Sequence, residues 1–274
     1  GRIYDPLNGI SDLRNGIVKF IGSPNERIEE DYLRILRYFR FFAQYSKQEH
    51  NIECIKSIKK NINGLNKITN EKIFLEIKKI LSLKNLFTLF SDREAKGIII
   101  SIFPQFKYYE RLKNFNNLNN ELKNKYNYKL ILSLLVIDQT DNYDFFCYKY
   151  RTSNEIKEMC KYISNYYESL GKKQFYSKEN IKKLIYLKNK KNVKNLLFFS
   201  RCLKLKEKNF DLYKLIEYVK NCPVPKFPIT GDNLKKFGYE SGPILGKKLK
   251  MLEEMWIKSN FLLDAKQLEN YLKN

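Results

Sequence analysis

An all-α fold is the class that the sequence predicts, and three observations support it. From about residue 23 to residue 215, apolar residues recur at three- and four-residue intervals, the period of an amphipathic helix. Several of these segments begin after Ser, Asn or Asp, which are the residues that cap helices. The 274-residue chain is 43% hydrophobic, enough to bury a core, and its length suggests about two domains.

The first 22 residues differ from the rest of the chain. The dipeptides Asp5-Pro6 and Asn8-Gly9 predict turns. The alternating, β-branched stretch IVKFI, residues 17–21, predicts a short strand. We therefore expect a β/turn fragment in front of the helices.

The first long helix begins at Ser23, which can cap it, with Pro24 at the first helical position and Glu26 completing a capping box. A proline-rich linker, NCPVPKFPITGD, is expected at 221–232, and two helices joined by a glycine-rich turn follow it. The other helices with the clearest periodicity are at 70–81, 129–138, 153–170 and 209–222.

The chain is strongly basic, with 52 Lys and Arg against 30 Asp and Glu and a formal net charge of +22. Such a charge favours a polyanionic partner, most commonly a nucleic acid. Codons rich in adenine and thymine produce the same excess of Lys, Asn and Ile, so composition is only supporting evidence.

The cysteines and the histidine argue against a zinc site. Five scattered cysteines without a CxxC pair, and the single histidine His50, do not predict a zinc site. Reduced thiols and a cytoplasmic location are the better interpretation. The absence of a long apolar run predicts no membrane span. We expect His50 at a helix end or on the surface, and Trp256 in the packing of the last helices.

The segment ERIEEDYLRILRYFRF, residues 26–41, is the most informative stretch. On a helical wheel of residues 27–43 its apolar residues share one wide face, and its charged residues lie opposite. Ion pairs between neighbouring turns, such as Glu30 with Arg34, are one sufficient explanation of the charged side.

Hydrogen-bond chemistry offers a second explanation of the same charged side. Asp31 provides acceptors, and Arg34 provides a fork of donors. Cytosine and adenine both present an amine donor beside a ring-nitrogen acceptor, whereas guanine and uracil present the reverse order. One Asp/Arg pair could therefore hold C or A and reject G and U, while Arg37 and Arg40 could contact phosphates.

The run NGISDLRNGIVKFIGSPNERIEEDYLRILRYFRF resembles the class II tRNA nucleotidyltransferases (CCA-adding enzymes) and the related bacterial poly(A) polymerases. Asp5, Gly9, Asp12 and Leu13 match the motif that links the family's catalytic head to its neck. Glu30-Asp31-x-x-Arg34 matches the EDxxR motif, the amino-acid template for CTP or ATP. The stretch 62–81 is similar to the next neck motif; Lys19 and Lys72 stand where the family usually has Arg. The resemblance implies a nucleotide site formed by Glu30, Asp31, Arg34, Arg37 and Arg40.

A second match lies near the carboxyl terminus. The pattern Gly231-Asp232-x-Leu234-x₃-Gly238-x₃-Gly242-Pro243-x₂-Gly246 is similar to an element of the family's tail. A glycine-lined helix amino terminus suits a phosphate, although such a turn can also simply start a packed helix. The resemblance favours tRNA binding by Gly238, Gly242, Pro243, Gly246, Lys247 and Lys248.

The family's catalytic motifs do not occur in this sequence. Nucleotidyl transfer needs two carboxylates that hold Mg²⁺, which the family supplies in a DxD motif of its head. The resemblance therefore assigns no catalytic or metal-ligating residue here. It implies the end of a head at 1–22, a neck at 23–95, a helical body at 96–220 and a tail at 221–274. Mg²⁺ would be bound by a head in cis or in trans, with ATP and CTP as substrates.

Three functions remain open from the sequence. The leading hypothesis is the carboxy-terminal part of a CCA-adding enzyme, which selects CTP and ATP and binds tRNA. A poly(A) polymerase fragment is a close alternative, because the residues that separate the two lie largely in the head. A non-catalytic RNA-binding remnant of a split gene, or a helical scaffold for proteins, belongs to other classes.

Overall fold

The computed structural model describes residues 4–118, 127–203 and 211–273, and within these ranges it contains helices and no strand. The predicted all-α class is therefore confirmed. In chain order, the α-helices are α1 (Gly9–Asn15), α2 (Pro24–Glu30), α3 (Arg34–Tyr45), α4 (Ile52–Asn61), α5 (Asn70–Leu81), α6 (Leu86–Ser91), α7 (Arg93–Ile102), α8 (Arg111–Asn116), α9 (Tyr128–Val136), α10 (Asn142–Lys149), α11 (Asn154–Asn165), α12 (Lys178–Leu187), α13 (Lys190–Cys202), α14 (Leu212–Asn221), α15 (Gly231–Lys236), α16 (Pro243–Lys258) and α17 (Ala265–Lys273). Three 3₁₀ helices join them, at Ile62–Lys67, Tyr167–Gly171 and Lys173–Tyr176.

The helices predicted from periodicity agree with this list to within a turn or two. The segment 70–81 coincides with α5, 129–138 with α9 and 209–222 with α14, which begins after the described range resumes at residue 211. The segment 153–170 ends sooner as an α-helix and continues in the 3₁₀ helix Tyr167–Gly171. α15 and α16 are the two helices expected after the linker.

The chain divides into two compact units. The first comprises Gly1–Glu168 and Phe199–Lys206, and the second comprises Ser169–Phe198 and Glu207–Asn274. In the first unit, α2 packs against α4, and α3 packs against α5 and α6. In the second, α15, α16 and α17 enclose a small core. Its buried residues are Ile229, Leu234, Leu252, Trp256 and Leu268. Trp256 is 4% exposed, so its predicted role in packing is confirmed.

The strand expected at 17–21 does not form, and this prediction was wrong. The helix α1 lies before this stretch. Its first turn is stabilised by the Asp5 carboxylate, which accepts hydrogen bonds from the backbone N–H groups of Gly9 (2.7 Å) and Ile10 (2.8 Å). A strand also needs a neighbour for its backbone groups, and the described residues provide none. Phe20 instead stacks on Tyr38 of α3, with ring centroids 5.5 Å apart.

His50 is buried rather than exposed, although it lies just before α4 as expected. Its side chain is 5% exposed and its ring stacks on Phe42 at 3.5 Å. Nδ1 lies 3.1 Å from the Tyr38 hydroxyl, and Nε2 lies 3.2 Å from Oδ1 of Asp92. Burial lowers the pKa of His50, and Asp92 opposes this shift without cancelling it.

All five cysteines are buried and none forms a disulfide. None of the helices in the described ranges is long and apolar enough to cross a membrane.

The buried histidine predicts a pH dependence of stability. An unfolded histidine titrates near pH 6.5, about the ordinary value. Because the folded pKa is lower, the unfolded chain binds more protons, and the free energy of unfolding should fall as the pH drops below that value. His50 is the single histidine, so its imidazole NMR resonances measure the folded pKa directly. A folded pKa above the unfolded value would contradict the burial argument.

Candidate nucleotide site and nucleic-acid interface

The charged segment is two helices rather than one. α2 ends at Glu30, Asp31 is extended (φ −153°, ψ 101°), and α3 begins at Arg34. The Oδ1 atom of Asp31 accepts a hydrogen bond from the backbone N–H of Leu33 at 3.0 Å. Such a local side-chain bond competes with the helical ladder. The helical wheel therefore misplaced Asp31, which lies in the break and not on a continuous helix face.

The start of α2 agrees with the sequence prediction in part. The hydroxyl of Ser23 accepts from the backbone N–H of Glu26 at 3.5 Å, and Pro24 occupies the first turn. The apolar face also agrees, since Ile28, Ile35, Leu36 and Phe39 are fully buried. Packing of this face against α4 and α5 leaves the charged side chains facing outward.

A close contact with a glycine anchors the helix break. The Tyr32 ring lies against Gly64 of the 3₁₀ helix Ile62–Lys67, so that a Cβ atom at Gly64 would come within 2.0 Å of it. The Lys67 ammonium lies 5.5 Å from the centroid of the same ring. Beside Tyr32, Leu33 is buried. Two residues within the break, Tyr32 and Leu33, are therefore held by packing.

Two of the predicted site residues, Glu30 and Arg34, form an exposed ion-pair group with Arg27. Oε2 of Glu30 accepts from Nη1 of Arg27 at 2.5 Å and from Nη1 of Arg34 at 2.8 Å. Arg34 also donates to the backbone carbonyl of Arg27 at 2.9 Å. Arg34, and secondarily Arg27, hold the pKa of the Glu30 carboxyl below its usual value. Glu30 thus orients the guanidinium of Arg34.

The other site residues belong to a second group. Nη1 of Arg37 lies 3.1 Å from Oδ2 of Asp31, and its Nε lies 3.8 Å from Oε1 of Glu76. Nε of Arg40 donates to Oε2 of Glu76 at 3.2 Å, and the Arg40 guanidinium lies 4.3 Å from the Phe41 ring centroid. Asp31 therefore pairs with Arg37 rather than with Arg34.

Accessible donors and acceptors remain on Asp31 and Arg34. Their side chains are 30% and 25% exposed. Arg34 uses Nη1 for its contacts, and within the described residues its Nε and Nη2 make no hydrogen bond. A carboxylate has about four lone-pair sites, so Asp31 can accept a further donor. Asp31 can thus accept, and Arg34 can donate, a further hydrogen bond.

The glycine-rich element lies in the second unit. Gly238 has φ +86°, in the left-handed region that favours glycine. Gly242 precedes α16, which has Pro243 in its first turn and no side-chain cap. Gly238, Gly242, Pro243, Gly246 and Lys247 are exposed, and Lys248 is half-buried. A 16-residue helix with an open, glycine-flanked amino terminus and nearby lysines is suited to an anion.

No group of three or more His, Cys, Asp and Glu side chains is placed to hold a metal ion in the part of the chain that the structure describes. The described residues therefore do not fit a Mg²⁺ site.

The chain is similar in sequence to known tRNA nucleotidyltransferases. The mitochondrial CCA tRNA nucleotidyltransferase 1 of Mus musculus is 28% identical over 281 residues, covering 100% of this chain and 62% of the relative. The CCA-adding enzyme of Staphylococcus epidermidis is 26% identical over 203 residues, covering 74% of this chain and 48% of the relative. The chain is thus similar in sequence to CCA-adding tRNA nucleotidyltransferases.

Solved CCA-adding enzymes share the fold of this chain. The Bacillus stearothermophilus enzyme in complex with CTP matches with a TM-score of 0.72 and 14% identity, covering 100% of this chain and 69% of that one. The Thermotoga maritima enzyme complexed with tRNA_CCA matches with a TM-score of 0.62 and 19% identity, covering 97% and 66%. No protein-family model matches the chain.

The chain spans about three fifths of the mouse enzyme and about half of the staphylococcal one.

Two residues at this site escaped the sequence analysis. Glu76 is 4% exposed and lies on the same face of α5 as Ile73, Ile77 and Ile80. A carboxylate on an apolar face signals a buried partner, so this pattern could have identified it. The sequence marks Gly64 only as a possible helix break, because its contact with Tyr32 depends on a residue 32 positions away in the chain.

The contact between Gly64 and Tyr32 predicts that Gly64→Ala is destabilising. The added methyl group must displace a packed ring, and overpacking of this kind costs about 1–3 kcal/mol. Gly97→Ala is the matched control, because nothing lies within 4 Å of a Cβ atom there and the residue is inside α7. That control should gain roughly 0.5–1 kcal/mol.

Urea denaturation of both variants measures these two free energies of unfolding. Equal stability of the two variants would contradict the contact at Gly64.

Proposed function

We propose that this chain is the neck, body and tail of a CCA tRNA nucleotidyltransferase. In this assignment residues 1–22 end the head, 23–95 form the neck, 96–220 the body and 221–274 the tail. The chain selects CTP or ATP and binds tRNA for template-independent addition of the 3′ CCA. The observation that supports it best is that Asp31 and Arg34 are both partly exposed, one in the helix break and one at its end.

Asp31 and Arg34 are the proposed readers of the base. The carboxylate of Asp31 accepts from the exocyclic amine of C or A, and the guanidinium of Arg34 donates to the neighbouring ring nitrogen. G and U present a carbonyl and an N–H in those places, so acceptor would face acceptor and donor would face donor. Desolvated, unpaired groups of this kind are costly, which is the source of discrimination.

Arg37 and Arg40 are the proposed contacts to the triphosphate. Arg37 is 39% exposed, and its guanidinium is suited to bidentate phosphate binding. Arg40 is 19% exposed and held by Glu76 and Phe41, so it offers fewer open donors. Glu30 is proposed to orient Arg34 and not to contact the base itself.

The tail is the proposed contact to tRNA. The backbone at Gly238, Gly242 and Gly246 allows close approach of a phosphate, and Pro243 starts α16 toward it. Lys247 and Lys248 add positive charge, in keeping with the net +22 of the chain.

The carboxylates that bind Mg²⁺ are proposed to come from a nucleotidyltransferase head outside this chain, in cis or in trans. Bound there, the metal would activate the primer hydroxyl and stabilise the leaving pyrophosphate. The residues of this chain would select and hold ATP or CTP and the RNA.

Incorporation of labelled CTP and ATP into tRNA lacking its 3′ CCA tests this proposal. The reaction is run with Mg²⁺, with this chain alone and with an added head domain of the family. C and A addition only on mixing would support the proposal, and addition of A alone in long runs would favour a poly(A) polymerase. If neither reaction incorporates a nucleotide and the chain still binds tRNA, the result would favour a non-catalytic RNA-binding remnant.

Asp31→Ala should abolish the preference for C and A without weakening tRNA binding. The preference of CTP over GTP is expected to fall about tenfold or more, since a good polar pair to a base is worth ~1–3 kcal/mol. Nucleotide competition and tRNA filter binding measure the two effects separately. Glu29→Ala is the control, because it removes the same charge from an exposed position two residues away. Equal preference in both variants would contradict the reader role of Asp31.

Replacing Lys247 and Lys248 by Ala should weaken tRNA binding and leave the CTP preference unchanged. Each lost phosphate contact should reduce the slope of log K against log salt by about 1. Lys266→Ala, an exposed cation on α17, is the control. A salt slope equal to that of the unaltered chain would exclude these lysines from the RNA interface.

A further inference from the structure

We propose that Glu76 is a positioning residue that sets base selectivity by holding Arg37 and Arg40. This inference rests on the proposed function, since it concerns the same nucleotide site. Glu76 lies on α5, 36 positions from Arg40, and is not one of the charged residues of α2 and α3 that the sequence pattern predicted for the site.

The burial of Glu76 requires cationic partners. Its side chain is 5% exposed, and a buried carboxylate without compensation is strongly unfavourable. Oε1 accepts from Nζ of Lys79 at 2.7 Å, and Oε2 accepts from Nε of Arg40 at 3.2 Å. Lys79 is on the same helix, so Arg40 is the direct hydrogen-bonded link from Glu76 to α3.

Arg37 extends this link to the helix break. Its Nε lies 3.8 Å from Oε1 of Glu76, which is an ion-pair distance too long for a hydrogen bond. Its Nη1 lies 3.1 Å from Oδ2 of Asp31. One guanidinium is thus shared by two carboxylates, one on α5 and one in the break. The position of the base-reading carboxylate is therefore tied to α5 through Arg37.

The aromatic neighbour of Arg40 completes the arrangement. The Phe41 ring lies 4.3 Å from the Arg40 guanidinium, and this cation–π contact helps to hold the guanidinium in place beside Glu76. Glu76 and Phe41 hold Arg40 from different elements, so Arg40 acts as a fixed reference for the more exposed Arg37.

A role in charge neutralisation alone gives a different expectation. If Glu76 only offset nearby positive charge, its removal would make the site more positive and raise the affinity for every nucleoside triphosphate alike. The ratio of affinities would then be unchanged. If Glu76 has a positioning role, its removal lowers that ratio, because the donors and acceptors that read the base are no longer held in place.

The test is the variant Glu76→Gln in the full chain. Glutamine keeps the shape and can still accept from Nε of Arg40, but it loses the attraction for Arg37. Competition against a fluorescent CTP analogue measures the dissociation constants of CTP, ATP, GTP and UTP. The ratio of the GTP to the CTP constant is expected to fall about fivefold, the factor for one half-exposed charge interaction.

Glu71→Gln is the matched control for this variant. It lies on the same helix and loses an exposed ion pair with Arg151, whose Nη1 lies 2.6 Å from Oε1 of Glu71. It should leave the ratio unchanged. Circular dichroism of each variant shows that the fold is retained.

Arg37→Gln keeps the test decisive if Glu76→Gln does not fold. This variant leaves Glu76 paired with Arg40 and Lys79, and it should lower the same ratio. In the double variant no further loss is expected, because Glu76 acts through Arg37. An unchanged ratio in folded Glu76→Gln, or additive losses in the double variant, overturns the inference. Absence of any preference for CTP in the unaltered chain would instead overturn the proposed function.

Discussion

The buried carboxylate of Glu76 is the constraint on which the charged side of α3 depends. In a low-dielectric interior it attracts cations strongly, and α3 supplies two arginines within ion-pair reach. The Arg40 side chain is 19% exposed, whereas the Arg37 side chain is 39% exposed. The same row of arginines therefore contains a structural member and an accessible member, a distinction that their regular spacing does not reveal.

The helix break gives the site its chemical character. Inside a continuous helix, Asp31 would share one face with Arg34, and the two opposite charges would meet each other. In the break, the Asp31 carboxylate turns to the Leu33 N–H and to Arg37, while Arg34 is engaged by Glu30. Asp31 and Arg34 are thus held by different partners, and the side chain of each stays partly exposed. Packing of Tyr32 on Gly64 maintains this arrangement.

The glycine-rich element belongs to a unit with its own core. Leu234 and Leu252 are fully buried around Trp256, so the turn between α15 and α16 is anchored at both sides by packed residues. Its exposed glycines and Lys247 thus lie beside a packed core. The two units therefore have different polar surfaces, which we propose to contact a nucleotide base and an RNA backbone, respectively.

The amino-acid sequence by itself determined the all-α class, the bounds of α5, the cap at Ser23 and the charged positions of the candidate site. These features follow from local periodicity and capping, which involve residues a few positions apart. Tertiary structure alone decided that residues 17–21 form no strand, that Asp31 interrupts the helix, that His50 is buried and that Glu76 joins the site. The surroundings of the break, of His50 and of Glu76 depend on partners distant in the chain, such as Gly64 for Tyr32 or Glu76 for Arg40. Local patterns contain no record of which distant residues meet.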